Sequence, residues 1–141
     1  MPLDPDQYQS LAGFRLALRR FLAASETISK GGGVTQQQYQ ALLAIKTWPE
    51  PSMMIKDLAD QLLLTHHGAV QLVNRLEGAG LVRRTPSTTD RRSVLLRLTA
   101  RGEGLVDRLA GQHLDELMRH EPLLARSLRR LKGLGPGAES S

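Results

Sequence analysis

Between residues 55 and 98 the apolar residues change their spacing. Ile55, Leu58, Ala59 and Leu62 recur every three or four residues, as on one face of a helix, and Ala69, Leu72, Val73 and Leu76 repeat the pattern after a break of about two residues. Val94, Leu96 and Leu98 then alternate, which is the period of a strand. One element cannot satisfy both periods, so this stretch is expected to fold as two short helices followed by strands. Thr65 is placed to cap the second helix, and Gly78-Ala79-Gly80 offers glycine for a left-handed end. Leu81 to Thr85 reads as the first strand and Ser93 to Leu98 as the second. Between them, residues 86–92 are all turn-forming or charged, as at a solvent-exposed hairpin tip. The pattern is that of a helix-turn-helix with a wing.

The flanks read as helices. Leu11, Phe14, Leu18, Phe21, Leu22 and Ile28 form an apolar stripe over residues 7–28, which Lys30-Gly31-Gly32-Gly33 ends. Thr35 with Gln38 forms a capping-box pattern that opens a helix through Tyr39, Leu42, Leu43 and Ile45, and the prolines of Trp48-Pro49-Glu50-Pro51-Ser52 break it. Thr99 caps a last helical stretch carrying Leu105, Leu109, His113, Leu114 and Leu117, with an interruption expected at Pro122 and a shorter piece beyond it. Residues 133–141 have the composition of a flexible tail. At 141 residues the chain is expected to be one domain, mainly α with a two- or three-stranded β wing. Its winged helix-turn-helix lobe spans about 34–101, flanked by helices at about 7–30 and 102–132.

Charge narrows the partner. The formal net charge is +5, and residues 64–101 account for all of it, with seven arginines against Glu77 and Asp90. Residues 1–63 and 102–141 each balance. The planar fork of arginine suits phosphate oxygens and guanine edges better than a point charge does. A helix fits a major groove about 12 Å wide, and an Arg-tipped hairpin can reach the adjacent minor groove. On the helix after Thr65, the side opposite Leu72 and Leu76 presents His67, Val70, Gln71, Asn74 and Arg75. Gln and Asn can pair bidentately with adenine, and Arg with guanine or phosphate.

In this region the sequence resembles the MarR (multiple antibiotic resistance regulator) family of bacterial transcription factors. The resemblance rests on Leu58-Ala59 with Leu62, Leu72-Val73-Asn74-Arg75-Leu76-Glu77, Gly80-Leu81-Val82, Asp90-Arg91-Arg92, and Leu98-Thr99 with Gly102 and Leu105. It implies a homodimer joined through the first and last helices that binds a pseudo-palindromic double-stranded DNA operator, most often as a repressor. It also implies a small aromatic or anionic effector held between the dimer region and the DNA-binding lobe. The helix face carries over as Thr65, His66, His67, Gln71 and Arg75. Arg92, or failing that Arg91, would enter the minor groove, and Asp90 would orient the wing by pairing with an arginine, Arg84 being its expected partner. The sequence departs from the family at Met53-Met54, where a hydroxyl cap is usual, and at His66-His67-Gly68, where Arg, Ser and Thr are more frequent.

Phe14, Tyr39, Trp48 and His113 are candidates for an effector pocket, although single aromatics on or beside a helix are more often core. No metal is expected: His66 and His67 point about 100° apart on a helix, and His113 and His120 lie about 10 Å apart along an axis. Cofactor and enzyme readings lack support too, since the chain has no cysteine, no glycine-rich phosphate loop after a strand and no HExxH motif. No apolar run is long enough for a membrane span and the N-terminus lacks the order of a secretion signal, so a cytoplasmic location is expected. Two other readings remain: a winged helix that docks a protein or RNA, and a constitutive DNA binder without an effector.

Overall fold

The computed structural model describes residues 2–49, 53–90 and 93–133. The elements run α1 (Pro5–Gly31), α2 (Gln36–Thr47), α3 (Ile55–Leu62), α4 (His66–Gly78), β1 (Val82–Pro86), β2 (Val94–Leu98) and α5 (Ala100–Gly133). The chain divides into two compact units, one made of residues 29–111 and the other of residues 1–28 with 112–141.

The 29–111 unit is a winged helix-turn-helix. Its core is assembled from the stripes read in the sequence: Leu42 of α2, Leu58 of α3, Leu72, Val73 and Leu76 of α4, Val82 and Leu96 of the sheet, and Val106 and Leu109 of α5 are all almost fully buried. The capping box of α2 forms as the sequence pattern requires, the Gln38 amide donating to Thr35 Oγ1 at 3.0 Å and the Thr35 amide to Gln38 Oε1 at 2.9 Å. Trp48, extended before Pro49, ends that helix. No hydroxyl caps the start of α3: the Asp57 amide donates to the Met54 carbonyl at 3.0 Å, and Asp57 Oδ2 accepts from the Met54 amide at 2.9 Å. Residue 53 contributes more than a connection. The Leu96 amide donates to the Met53 carbonyl at 2.7 Å, forming an isolated bridge along the edge of the two-stranded antiparallel sheet, and the Met53 side chain is buried.

The strands pair Val82 with Leu98, Arg83 with Arg97, Arg84 with Leu96, Thr85 with Leu95 and Pro86 with Val94. Their base is fastened to the start of α5 by a compact knot. Thr99 Oγ1 donates to the Gly80 carbonyl at 2.6 Å and accepts from the Gly102 amide at 3.0 Å, while the Thr99 amide donates to the Leu81 carbonyl at 3.0 Å. Gly102 lies so near Leu81 that a Cβ there would stand 2.1 Å from the Leu81 carbonyl oxygen. Gly80 itself has a φ of +75°, the left-handed conformation that glycine enters without a steric cost.

In the other unit the helices extend past their expected limits. The α1 helix begins at Pro5 rather than near residue 7, because Asp4 and Gln7 form a reciprocal cap, with both bonds at 2.9 Å, and proline at the first helical position loses no needed donor. The α5 helix does not break at Pro122; it continues for 34 residues to Gly133. Proline's fixed φ is helical, and the carbonyl it leaves without a donor belongs to Met118, an exposed residue where water can serve. Phe21 meets His120 edge-on at 5.9 Å between ring centroids, and His120 Nε2 lies 3.2 Å from Glu116 Oε1.

Two substitutions test these features. Gly102→Ala should lower stability by about 3 kcal/mol in urea denaturation, because the added methyl group meets a backbone oxygen rather than a side chain that can turn aside. Pro122→Ala should raise the thermal midpoint. Roughly 3 kcal/mol of helix preference, less about 1 kcal/mol of lost constraint on the unfolded chain, leaves a gain of about 2 kcal/mol.

Candidate nucleic-acid interface

The α4 helix is pinned by one face and leaves the other free. Ala69, Leu72, Val73 and Leu76 are buried, whereas His66, His67, Gln71, Asn74 and Arg75 are exposed. Its start is fixed by Thr65, whose Oγ1 accepts from the Gly68 amide at 3.0 Å. A Cβ on Gly68 would lie 3.2 Å from that same oxygen, so the glycine leaves room for the cap. Thr65 is thus engaged in shaping the helix end. The turn before it passes through Leu63, which is left-handed at φ 56° and ψ 43° and 93% exposed. This is an unusual conformation for a branched residue, and nothing in the apolar pattern announces it.

The wing is joined to the reading helix by a clamp that the sequence reading missed. Arg84 Nη1 donates to Glu77 Oε1 at 2.7 Å, Arg84 Nη2 donates to Asn74 Oδ1 at 2.7 Å, and the Arg84 amide donates to Glu77 Oε2 at 3.2 Å. One carboxylate of α4 therefore holds both the backbone and the guanidinium of β1. This corrects two expectations. Arg84 is engaged by Glu77 and Asn74 instead of Asp90, because its side chain lies on the sheet face that carries Val82 and Leu96, the face toward α4. Asn74, with Oδ1 accepting from Arg84, cannot offer both amide atoms to an adenine while the clamp stands. The available signal was charge scarcity: Glu77 and Asp90 are the two acids among seven arginines in this region, and the sequence reading considered only Asp90 as a partner.

Asp90 also makes contacts within the tip. Its Oδ2 accepts from Ser93 Oγ at 3.0 Å and its carbonyl accepts from the Ser93 amide at 3.1 Å, while Ser87 Oγ accepts from the amides of Thr89 and Asp90. The candidate groove-entering residues Arg91 and Arg92 lie outside the described residues.

The four candidate pocket residues divide between the units, Phe14 and His113 in one and Tyr39 and Trp48 in the other. His113 is buried and Phe14 half-buried on their helices. Tyr39 is a core residue, and burial pushes its phenol above the usual range. Trp48, at the end of α2, lines a cavity of about 260 Å³ together with Lys46, Arg83 and Arg97. Hydrogen bonding to Glu103 raises the Lys46 ammonium above its ordinary value, with Asp107 3.6 Å away adding to the effect. Among the described residues, no three His, Asp or Glu side chains converge as metal ligands would, and no helix is long and apolar enough to cross a membrane.

A pinned helix with an exposed polar face, preceded by a tight turn and clamped to an antiparallel hairpin, defines the chain as a winged helix-turn-helix protein. Residues 32–93 match the profile of the MarR family. The chain is 34% identical over 98 residues to the HTH-type transcriptional regulator TtmR of Methylorubrum extorquens (strain PA1), which covers 70% of this chain and 46% of that protein. The match thus spans about half of the relative's length. The crystal structure of AbsC, a MarR family transcriptional regulator from Streptomyces coelicolor, superposes with a TM-score of 0.80 at 25% identity, over 99% of this chain and 97% of AbsC. The fold is also that of the S. aureus MepR–DNA complex, with a TM-score of 0.65 and 22% identity over 86% of this chain and 98% of MepR. Residues 32–93 are thus similar to the MarR family, and the chain has the fold of a MarR family regulator.

The clamp is open to test. Glu77→Ala should cost about 1 kcal/mol of stability, a small value because the pair is partly exposed. It should also speed hydrogen exchange at the Arg84 amide. An Arg84 amide that exchanges at the wild-type rate would show that Glu77 does not hold the wing.

Proposed function

We propose that the protein is a sequence-specific DNA-binding transcription regulator. It acts in the cytoplasm as a homodimer that reads a pseudo-palindromic operator and represses, with its operator affinity set by a small organic effector. The observation that carries this reading is the exposed face of α4, with His66, His67, Gln71 and Arg75 turned away from a packed core and a basic wing fixed beside it. A helix presented in this way has the width and donor set for a major groove, and the wing has the charge for the flanking phosphates. Thr65 contributes by fixing the helix end, and Arg92 or Arg91 supplies the minor-groove contact. Asn74 serves the clamp first and base contact second.

Dimerisation is supported by the apolar surface of the unit made of residues 1–28 and 112–141. Leu11, Leu18 and Leu22 of α1 and Leu114, Met118 and Leu128 of α5 are exposed in the single chain, and large apolar side chains on two helices can be buried against a second copy. Two copies joined there would present two α4 helices, which is what a two-fold operator requires. No step of this function calls for catalysis, a cofactor or a metal.

Selection of bound duplexes from a randomised pool, followed by salt titration, tests the proposal. A two-fold site with half-sites about one helical turn apart, and an affinity falling steeply with salt, is the expected result. Arg75→Ala should then cost roughly 1–3 kcal/mol of operator binding without loss of fold. Salt-sensitive binding with no enriched sequence would instead favour a docking or RNA-binding module. Operator binding that no small molecule alters would leave a constitutive DNA binder.

A further inference from the structure

Arg84 decides which way the Asn74 amide faces. A guanidinium has N–H donors and no acceptor, so the atom of Asn74 that stands 2.7 Å from Arg84 Nη2 is the amide oxygen Oδ1. Turning the amide round would set donor against donor. The guanidinium itself has little freedom to yield: its Nη1 donates to Glu77 Oε1 at 2.7 Å, and the Arg84 amide donates to Glu77 Oε2 at 3.2 Å. Side chain and backbone of Arg84 are therefore both held by α4. Asn74 Nδ2, by contrast, has no hydrogen-bond partner among the described residues, and the residue is exposed.

The place of that amide on α4 gives the free donors something to read. His67, Gln71 and Asn74 follow one another at four and three residues, which stacks them in one ridge on the exposed side of the helix. The ridge runs about 10 Å, close to three base-pair steps along a groove. Base edges in a major groove differ in what they show there. Guanine and thymine carry keto oxygens that accept, whereas adenine and cytosine carry amino groups that donate. An unclamped asparagine suits adenine best, because its oxygen accepts from the adenine amino group while its nitrogen donates to N7. Asn74 has no free oxygen for this. An amide that offers only donors opposes an amino group and pairs with a keto oxygen.

We propose that Asn74, oriented by Arg84, selects a keto base, guanine or thymine, in the strand it faces, so that the wing clamp sets a base preference of the reading helix. Asn74 is the specificity-determining residue. Arg84 is a positioning residue, which contacts no base and acts through the amide it turns. Glu77 supports both by fixing the guanidinium. This inference rests on the DNA-reading function proposed above and narrows it to one base pair in each half-site.

Selection of bound duplexes from a randomised pool, carried out with the full-length protein and with variants shown to be folded by their thermal transitions, reads the preference directly. The wild type is expected to enrich guanine or thymine over adenine and cytosine by about fivefold or more at one position of each half-site. Asn74→Ala should level that position. Asn74→Asp keeps the oxygen that Arg84 needs and removes both donors, so the clamp holds while the same position turns to cytosine or adenine, whose amino groups a carboxylate accepts from. Arg84→Lys keeps a charge opposite Glu77 but lacks the fork that reaches two partners. Asn74 is then released, and adenine should gain at that position by about threefold or more. A role for Asn74 in the clamp alone would lower affinity evenly over all sequences and leave each base preference in place. The proposal is overturned if Asn74→Ala changes no base preference, or if the position it levels favours adenine or cytosine in the wild type. It is overturned equally if either Asn74→Asp or Arg84→Lys leaves that position as it was. Each of these results leaves the DNA-reading function standing, because an operator has been selected. A pool that yields no enriched duplex rejects that function and this inference with it.

Discussion

The geometry of the wing depends on one crowded junction, where Gly80 and Leu81 meet Thr99 and Gly102. Here the end of α4, both strand bases and the first turn of α5 converge within a few residues, and their backbone groups pair with one another. Thr99 resolves this with one hydroxyl that donates to Gly80 and accepts from Gly102. The absence of a Cβ at Gly102 allows the Leu81 carbonyl to approach as closely as it does. Every later feature of the wing, from the strand register to the tip, is built outward from that fixed base.

A second constraint turns this base into an oriented surface. Glu77 is the last carboxylate on α4, and it grips Arg84 through both the side chain and the backbone. Hairpins of two strands are marginal alone. This one is tied at its base by Thr99, along its edge by the Met53 carbonyl and through its first strand by Glu77. The result is a wing that keeps a defined position relative to α4. The clamp also takes charge away from recognition: Arg84, one of the seven arginines that give this region its basic character, is spent on structure. Arg83 and Arg97, which have no hydrogen-bond or ion-pair partner among the described residues, line a cavity at the end of α2.

The elements were legible where a local rule sufficed. The Thr35–Gln38 box, the Thr65 cap and the change of period from helix to strand each depend on residues within a few positions of one another, and the helix-turn-helix and hairpin followed from them. Reading failed where a local rule had a local exception. Pro122 was expected to break α5, but a proline on an exposed helix face loses only one hydrogen bond, which solvent replaces. Leu63 gave no sign of its left-handed conformation, which is imposed by the need to turn α3 into α4 rather than by its own preference.

By itself the sequence determined the winged helix-turn-helix, the exposed polar face of α4 and the confinement of excess charge to residues 64–101. These properties are carried by periodicity, caps and composition, and they survive any particular packing. Only the tertiary structure decided which acid meets which arginine. Electrostatic partners are chosen by distances across elements, and the pairing of β1 with β2 set the Arg84 side chain on the face toward Glu77 while leaving Arg83 opposite Arg97. The same register brought Trp48, Lys46 and that arginine pair around one cavity, although they are separated by up to 51 positions in the chain. No period or motif along the chain encodes such a meeting, because strand register and side-chain facing come into being only when the elements pack.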